Sequence, residues 1–166
     1  MLVPDIRTIM LVLVFPSIVC FVILMDQWLK YKDRYKGLGL LFIDFLMQSM
    51  VVPLMMLRGV APDWLSMIVS NSLSIAGLVI GYHGICRFMD RKCRIWPGVV
   101  GVLLFVAIQT WFTYGYPDFG GRSINVAFAS MCIFFGSAIV LHEGLTREFR
   151  KITMGVKHVF LTFGLL

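Results

Sequence analysis

Residues 38–57 read LGLLFIDFLMQSMVVPLMML, and residues 64–85 read WLSMIVSNSLSIAGLVIGYHGI. Each is a continuous apolar run of roughly 20 residues, the length that carries a helix across a hydrocarbon core about 30 Å thick. Neither alternates apolar with polar residues, which excludes a transmembrane β-barrel. The connector between them, Arg58-Gly59-Val60-Ala61-Pro62-Asp63, carries turn chemistry. Asp63 is placed to cap the second of these helices, with Trp64 beside it at the membrane interface.

Further apolar runs lie to either side. Ile9–Met25 precedes the pair; Trp96–Tyr114 and Ile124–His142 follow it, and a shorter run spans residues 159–166. The spacing therefore predicts an all-α fold over 1–166, a single transmembrane helical domain. Its five full spans are 9–25, 38–57, 64–85, 96–114 and 124–142, with the start of a sixth at 159–166. That last run rises only about 12 Å as a helix. It is read as the beginning of a span in a longer protein, whose natural completion is a seventh span and a soluble domain inside. The first run has no small-x-small cleavage site, and Ser17-Ile18-Val19-Cys20 lacks the small residue usual before a lipoprotein cysteine, so it is read as an uncleaved span.

Composition agrees. Hydrophobic residues make up 59% of the 166, charged residues 14%, and mean hydropathy is +0.87, whereas a soluble globule carries roughly 25% charged residues. Such a chain cannot cover a globular surface with polar groups, which excludes a soluble enzyme, a disordered segment and a disulfide scaffold. The net charge of +6 follows from where the basic residues sit. Lys30, Lys32, Arg34 and Lys36 lie in the first connector, Arg87, Arg91, Lys92 and Arg94 in the third, and Arg147, Arg150, Lys151 and Lys157 after the fifth span. The opposite side holds only Arg7, Arg58 and Arg122. Short basic loops stay in the cytoplasm, so the amino terminus is expected outside and the basic loops inside, against lipid headgroups. The expected location is the bacterial inner membrane. The lipid bilayer is the expected partner, and nucleic acid is not.

Asp44 is the one acidic residue well within a span, and a charge at that depth is costly enough to make it a functional candidate. Gln48 lies one turn on along the same face. The pair reads either as a proton- or ligand-responsive carboxylate or as a hydrogen-bonding Asp that joins two helices. In the third span Ser70, Ser74, Gly77 and Gly81 follow one face at i, i+4, i+7 and i+11. Gly77 and Gly81 form a small-x-x-x-small pattern that permits close helix approach, and Asn71 is expected to hydrogen-bond across that seam. Pro16 and Pro53 are positioned to kink the first two spans. Arg58, Asp63, Trp64, Tyr116, Asp118 and Arg122, with Tyr114, collect in the external loops as interface anchors or as the rim of an outward pocket.

Met47, Met50, Met55 and Met56 read as flexible apolar filler rather than copper ligands. His83 with Cys86 and Cys93 matches a metal half-site only loosely, and with no CxxC pair no metal is expected. Cys86 and Cys93 fall on the cytoplasmic side and are expected as reduced thiols. His83 and His142 read as interfacial hydrogen bonders rather than haem ligands. No P-loop, Rossmann fingerprint, nucleophile elbow or His-Glu-x-x-His run is present, so no cofactor is expected and no catalytic site.

The residues from Arg58 to Asn71 resemble the "RG-x-x-P-x-x-LS-x-x-x-x-N" stretch of the membrane-embedded amino-terminal region of bacterial GGDEF-type diguanylate cyclases. Asp5-Ile6-Arg7-Thr8 is similar to their D-x-R-T opening, and Tyr35-Lys36-Gly37-Leu38-Gly39 to their approach to the second span. Gly84-Ile85-Cys86-Arg87-Phe88-Met89-Asp90-Arg91 looks like their exit from the third. The resemblance covers roughly residues 5–94. It implies a sensory or anchoring membrane region that precedes a cyclase domain, and no Gly-Gly-Asp/Glu-Glu-Phe motif is present in this chain. It identifies neither a ligand nor a binding residue. The expected function is thus a membrane signal-input module answering an unknown small-molecule or physical stimulus, with a homodimer among the assemblies open to it. The rival readings are a small transporter or channel, and an assembly subunit that binds partners through the small-residue seam.

Overall fold

The computed structural model describes residues 6–31, 36–57, 62, 64–143 and 162. Among these every element is helical. Helix α1 runs Ile6–Tyr31 and α2 runs Leu38–Met56. A π-helical segment, Trp64–Val69, leads directly into α3, Ser70–Phe88. Helix α4, Trp96–Thr110, passes into a second π-helical segment, Trp111–Gly115, and α5 runs Phe119–Glu143. Four continuous helices are long and apolar enough to cross a membrane: Leu38–Met56, Trp64–Phe88, Trp96–Gly115 and Phe119–Glu143. The chain has the length and composition of a polytopic membrane protein. Arg58, Asp63 and the run 159–166, apart from Thr162, lie outside the described residues.

The bundle is built on α2 and α3, which share the most extensive interface; α1 packs on α2, and α5 on α3. Two ring contacts seat α1. Phe21 meets Phe42 with centroids 5.5 Å apart, and Trp28 stacks on Phe42 at 5.4 Å. Gly39 leaves room for the Trp28 indole, whose Nε1 would lie 3.2 Å from a Cβ there. At the α3–α5 interface Ile85, Cys86, Val140 and Leu141 form a buried cluster. Helix α4 is more peripheral. Its Val100, Leu103, Leu104 and the adjoining Trp111 are exposed, as a lipid-facing surface requires and a water-facing one does not tolerate at this extent. Pro53 is accommodated inside α2 one turn before its end, where its side chain is exposed.

The end of α3 corrects one expectation. Cys86 and Cys93 are not separate thiols but a disulfide, with Cα atoms 6.1 Å apart. The physical cause is local. Asp90 adopts a left-handed conformation, φ 54°, which short polar side chains tolerate. Asp90 N–H donates to the Arg87 carbonyl and Arg91 N–H to the Cys86 carbonyl, at 3.1 and 2.8 Å. This is the pair of bonds that closes a helix with a left-handed residue just past its end. The chain therefore doubles back over its last turn and lays Cys93 beside Cys86. A span count does not reveal a turn of this kind.

Candidate functional site

The face Ser70, Ser74, Gly77, Gly81 lies against α2. Ser70, Gly77, Gly81 and Gly84 are all buried, and the side chain opposite them is Asp44. A Cβ at Gly81 would collide with the Asp44 carboxyl, and one at Gly77 would lie 3.1 Å from Asp44 Oδ1 and 3.2 Å from Gln48 Nε2. The glycines make space for the carboxyl as well as permitting close approach of the backbones.

Gln48 locks the arrangement. Its Nε2 donates to the Ser74 carbonyl at 3.0 Å and, at 3.3 Å, to Asp44 Oδ1. Its Oε1 accepts from the Ser74 hydroxyl at 2.9 Å. Asp44, Gln48 and Ser74 thus form one network across two helices. Among the described residues no salt bridge involves Asp44, so an amide rather than a cation holds it. The Ser70 hydroxyl donates to its own helix, at the Ser66 carbonyl, 2.6 Å. Asn71 makes no side-chain hydrogen bond among the described residues. It sits one residue, and so about 100° of helix turn, from Ser70, which takes it off the seam on which it was expected.

The outer rim is less coherent. Trp64 and Tyr116 are exposed, at 51% and 69%, as interface anchors are. Asp118 caps α5, its two carboxylate oxygens accepting from the Gly120 and Gly121 backbone N–H groups at 2.9 Å each. Arg122 points inward instead, Nη1 donating to Met67 Sδ at 3.0 Å. Below it α4 and α5 are joined by a contact that sequence reasoning missed. Gln109, fully buried, accepts at Oε1 from Asn125 Nδ2 at 3.1 Å. Both residues sit in apolar runs at positions where an isolated amide carries no periodic signal. Ser66 Oγ, Ser72 Oγ, Gln109 Nε2 and Arg122 Nε are buried without a partner among the described residues.

An apolar cleft of about 480 Å³ opens between α3, α4 and α5, lined by Ile75, Phe105, Phe128 and Ala129 among others. Among the described residues no cluster of three or more His, Cys, Asp or Glu side chains could hold a metal. No family model, curated protein or solved structure matches this chain.

Proposed function

We propose that this chain is the membrane-embedded signal-input or anchoring module of a bacterial signalling protein, the amino-terminal part of a diguanylate cyclase. The observation that carries the reading is the Asp44–Gln48–Ser74 network, set in a glycine-lined seam between the two most closely associated helices. A carboxyl held, among the described residues, by an amide and no cation, in a seam with no bulk to spare, gives the α2–α3 pair one arrangement that a stimulus can disturb. The resemblance of residues 58–71 and 84–91 to cyclase membrane regions supports the same reading. We assign the chain no catalytic step.

The finer topology belongs to this proposal. Helix α1, 26 residues long, reaches about 39 Å and serves as a further span, so the chain has five spans and the start of a sixth. The distribution of Lys and Arg supports an amino terminus outside, and the bacterial inner membrane is the location that goes with this proposal. A transporter or channel is the second reading, favoured by a carboxyl at membrane depth. It lacks a second intramembrane charge facing Asp44 among the described residues.

The test is made in the producing cell. Deleting the gene is expected to change intracellular cyclic di-GMP, and the gene carrying Gly81→Leu is expected not to restore it. An unchanged nucleotide level on deletion, together with altered uptake of an ion or solute, would replace this reading with the transporter.

A further inference from the structure

A second cavity, of about 860 Å³, opens at the basic end of the bundle, where the start of α2, the end of α3 and the turn into α4 meet. Its lining is divided by chemistry. Lys36, Arg87, Arg91 and Lys92 supply cations, and Val79, Ile80 and Val99 supply an apolar floor within the helices that can cross a membrane. Of these four Arg91 pairs with Glu143, and Lys36, Arg87 and Lys92 have no salt-bridge partner among the described residues. Asp90 lines the same cavity, so among the described residues three unpaired cations face one carboxylate and the cavity is net positive. His83 is occupied by the Val79 carbonyl at Nδ1, 2.8 Å, and by the Arg94 carbonyl at Nε2, 3.3 Å. The Cys86–Cys93 disulfide forms part of the wall and ties the basic turn to the end of α3.

We propose that this cavity binds one anionic phospholipid, its phosphate held by Lys36, Arg87 and Lys92 and the upper part of its acyl chains laid along Val79, Ile80 and Val99. The charge selects an anion. The apolar floor, continuous with the lipid-facing helices, selects one that carries hydrocarbon. Basic pockets between transmembrane helices take acidic headgroups in this way. A free phosphate ion would satisfy the cations and leave the floor uncovered; a zwitterionic lipid would cover the floor and leave the cations without a net counter-charge. The proposal rests on the membrane placement of α2, α3 and α4 and is independent of the signalling role.

The full chain is purified into nanodiscs of phosphatidylcholine with a small fraction of phosphatidylglycerol, extracted in mild detergent, and retained lipid is measured by native mass spectrometry. One retained phosphatidylglycerol per chain is expected, undiminished by millimolar inorganic phosphate. A basic side chain near an anionic surface is worth roughly a fivefold change in binding, so combining Lys36→Gln, Arg87→Gln and Lys92→Gln is expected to lower retention roughly a hundredfold. Asp90→Asn is expected to raise it. Arg94→Gln in the same turn, but outside the cavity lining, is expected to leave it unchanged. Equal loss in Arg94→Gln would reduce the effect to general surface charge and overturn the site. Displacement by inorganic phosphate, or equal retention of phosphatidylcholine, would also overturn it. If the triple variant fails to extract as a folded chain, Val79→Trp is used to fill the floor while the cations remain. Retention unchanged in that variant would overturn the placement of the acyl chains.

Discussion

Gly37 illustrates how one residue holds the two central helices in register. Its φ of 95° lies in the left-handed region, and a Cβ there would run into the Gly84 carbonyl and lie 2.9 Å from both Arg87 Cβ and Phe88 N. The obstacles are backbone and the stem of a helical side chain, none of which can swing aside. Gly37→Ala is therefore expected to destabilise the α2–α3 pair by about 2 kcal/mol or more, read as a lower thermal midpoint in detergent; an unchanged midpoint would mean that the α2 start is not docked on α3. Gly81 differs, because what its Cβ would meet is the movable Asp44 side chain. Gly81→Ala is expected to cost about 1–3 kcal/mol. Adding Asp44→Ala, which removes the obstacle along with the carboxyl, should make the double variant less damaged than the sum of the two single changes. Residues in contact couple in this way, and distant ones do not, so strict additivity would separate Asp44 from the seam. Asp44→Asn keeps an oxygen to face Gln48 and is expected to preserve the midpoint.

At the scale of elements, the turn after α3 carries the next prediction. Asp90 is held at a positive φ that any residue with a Cβ adopts at a cost, and Asp90→Gly is expected to stabilise the turn by up to about 1 kcal/mol. The check is faster closure of the Cys86–Cys93 disulfide after reduction and dilution of the reductant; slower closure would show that the Asp90 side chain, rather than its backbone, organises the turn. Four of the helices, Leu38–Met56, Trp64–Phe88, Trp96–Gly115 and Phe119–Glu143, were legible in the sequence because each is a run long enough for a bilayer. So was the face Ser70, Ser74, Gly77, Gly81, because a spacing of three and four residues leaves little choice of partner surface. Asp44 and Gln48 were legible for the same reason, together with the rarity of a carboxyl inside a span. What could not be read was pairing between elements. That Gln48 answers Ser74 rather than Asn71, and that Gln109 answers Asn125, depends on how two helices are rotated against each other, which apolar periodicity constrains only weakly when lipid and core are equally oily. The π-helical segments at Trp64–Val69 and Trp111–Gly115 widen the helix by one residue per turn, a shift no residue pattern announced. The disulfide depends on the left-handed Asp90 turn, a local geometry that charge and compartment do not encode.

For the whole molecule two signals pull in opposite directions. The crowding of Lys and Arg into the connectors at 30–36 and 87–94 places those connectors in the cytoplasm under the proposed orientation, yet a disulfide persists in oxidising compartments and is reduced in the cytoplasm. The turn brings the two sulfurs together on either side of a membrane; only the redox surroundings differ. Cys20 and Cys132 are the free cysteines, so after detergent extraction in air, alkylation without reductant should modify two of the chain's four cysteines and alkylation after reduction all four. In intact cells the orientation decides. If the basic connectors are inside, a membrane-permeant alkylating reagent applied before lysis should modify Cys86 and Cys93 directly. In a version with the native cysteines replaced by Ser, Lys92→Cys should then be protected from an impermeant maleimide while Tyr116→Cys at the other end is labelled. Labelling of Lys92→Cys from outside, with Cys86 and Cys93 already oxidised in the cell, would invert the molecule. It would put the disulfide in the compartment that maintains it and remove the charge distribution as a guide to topology in this chain.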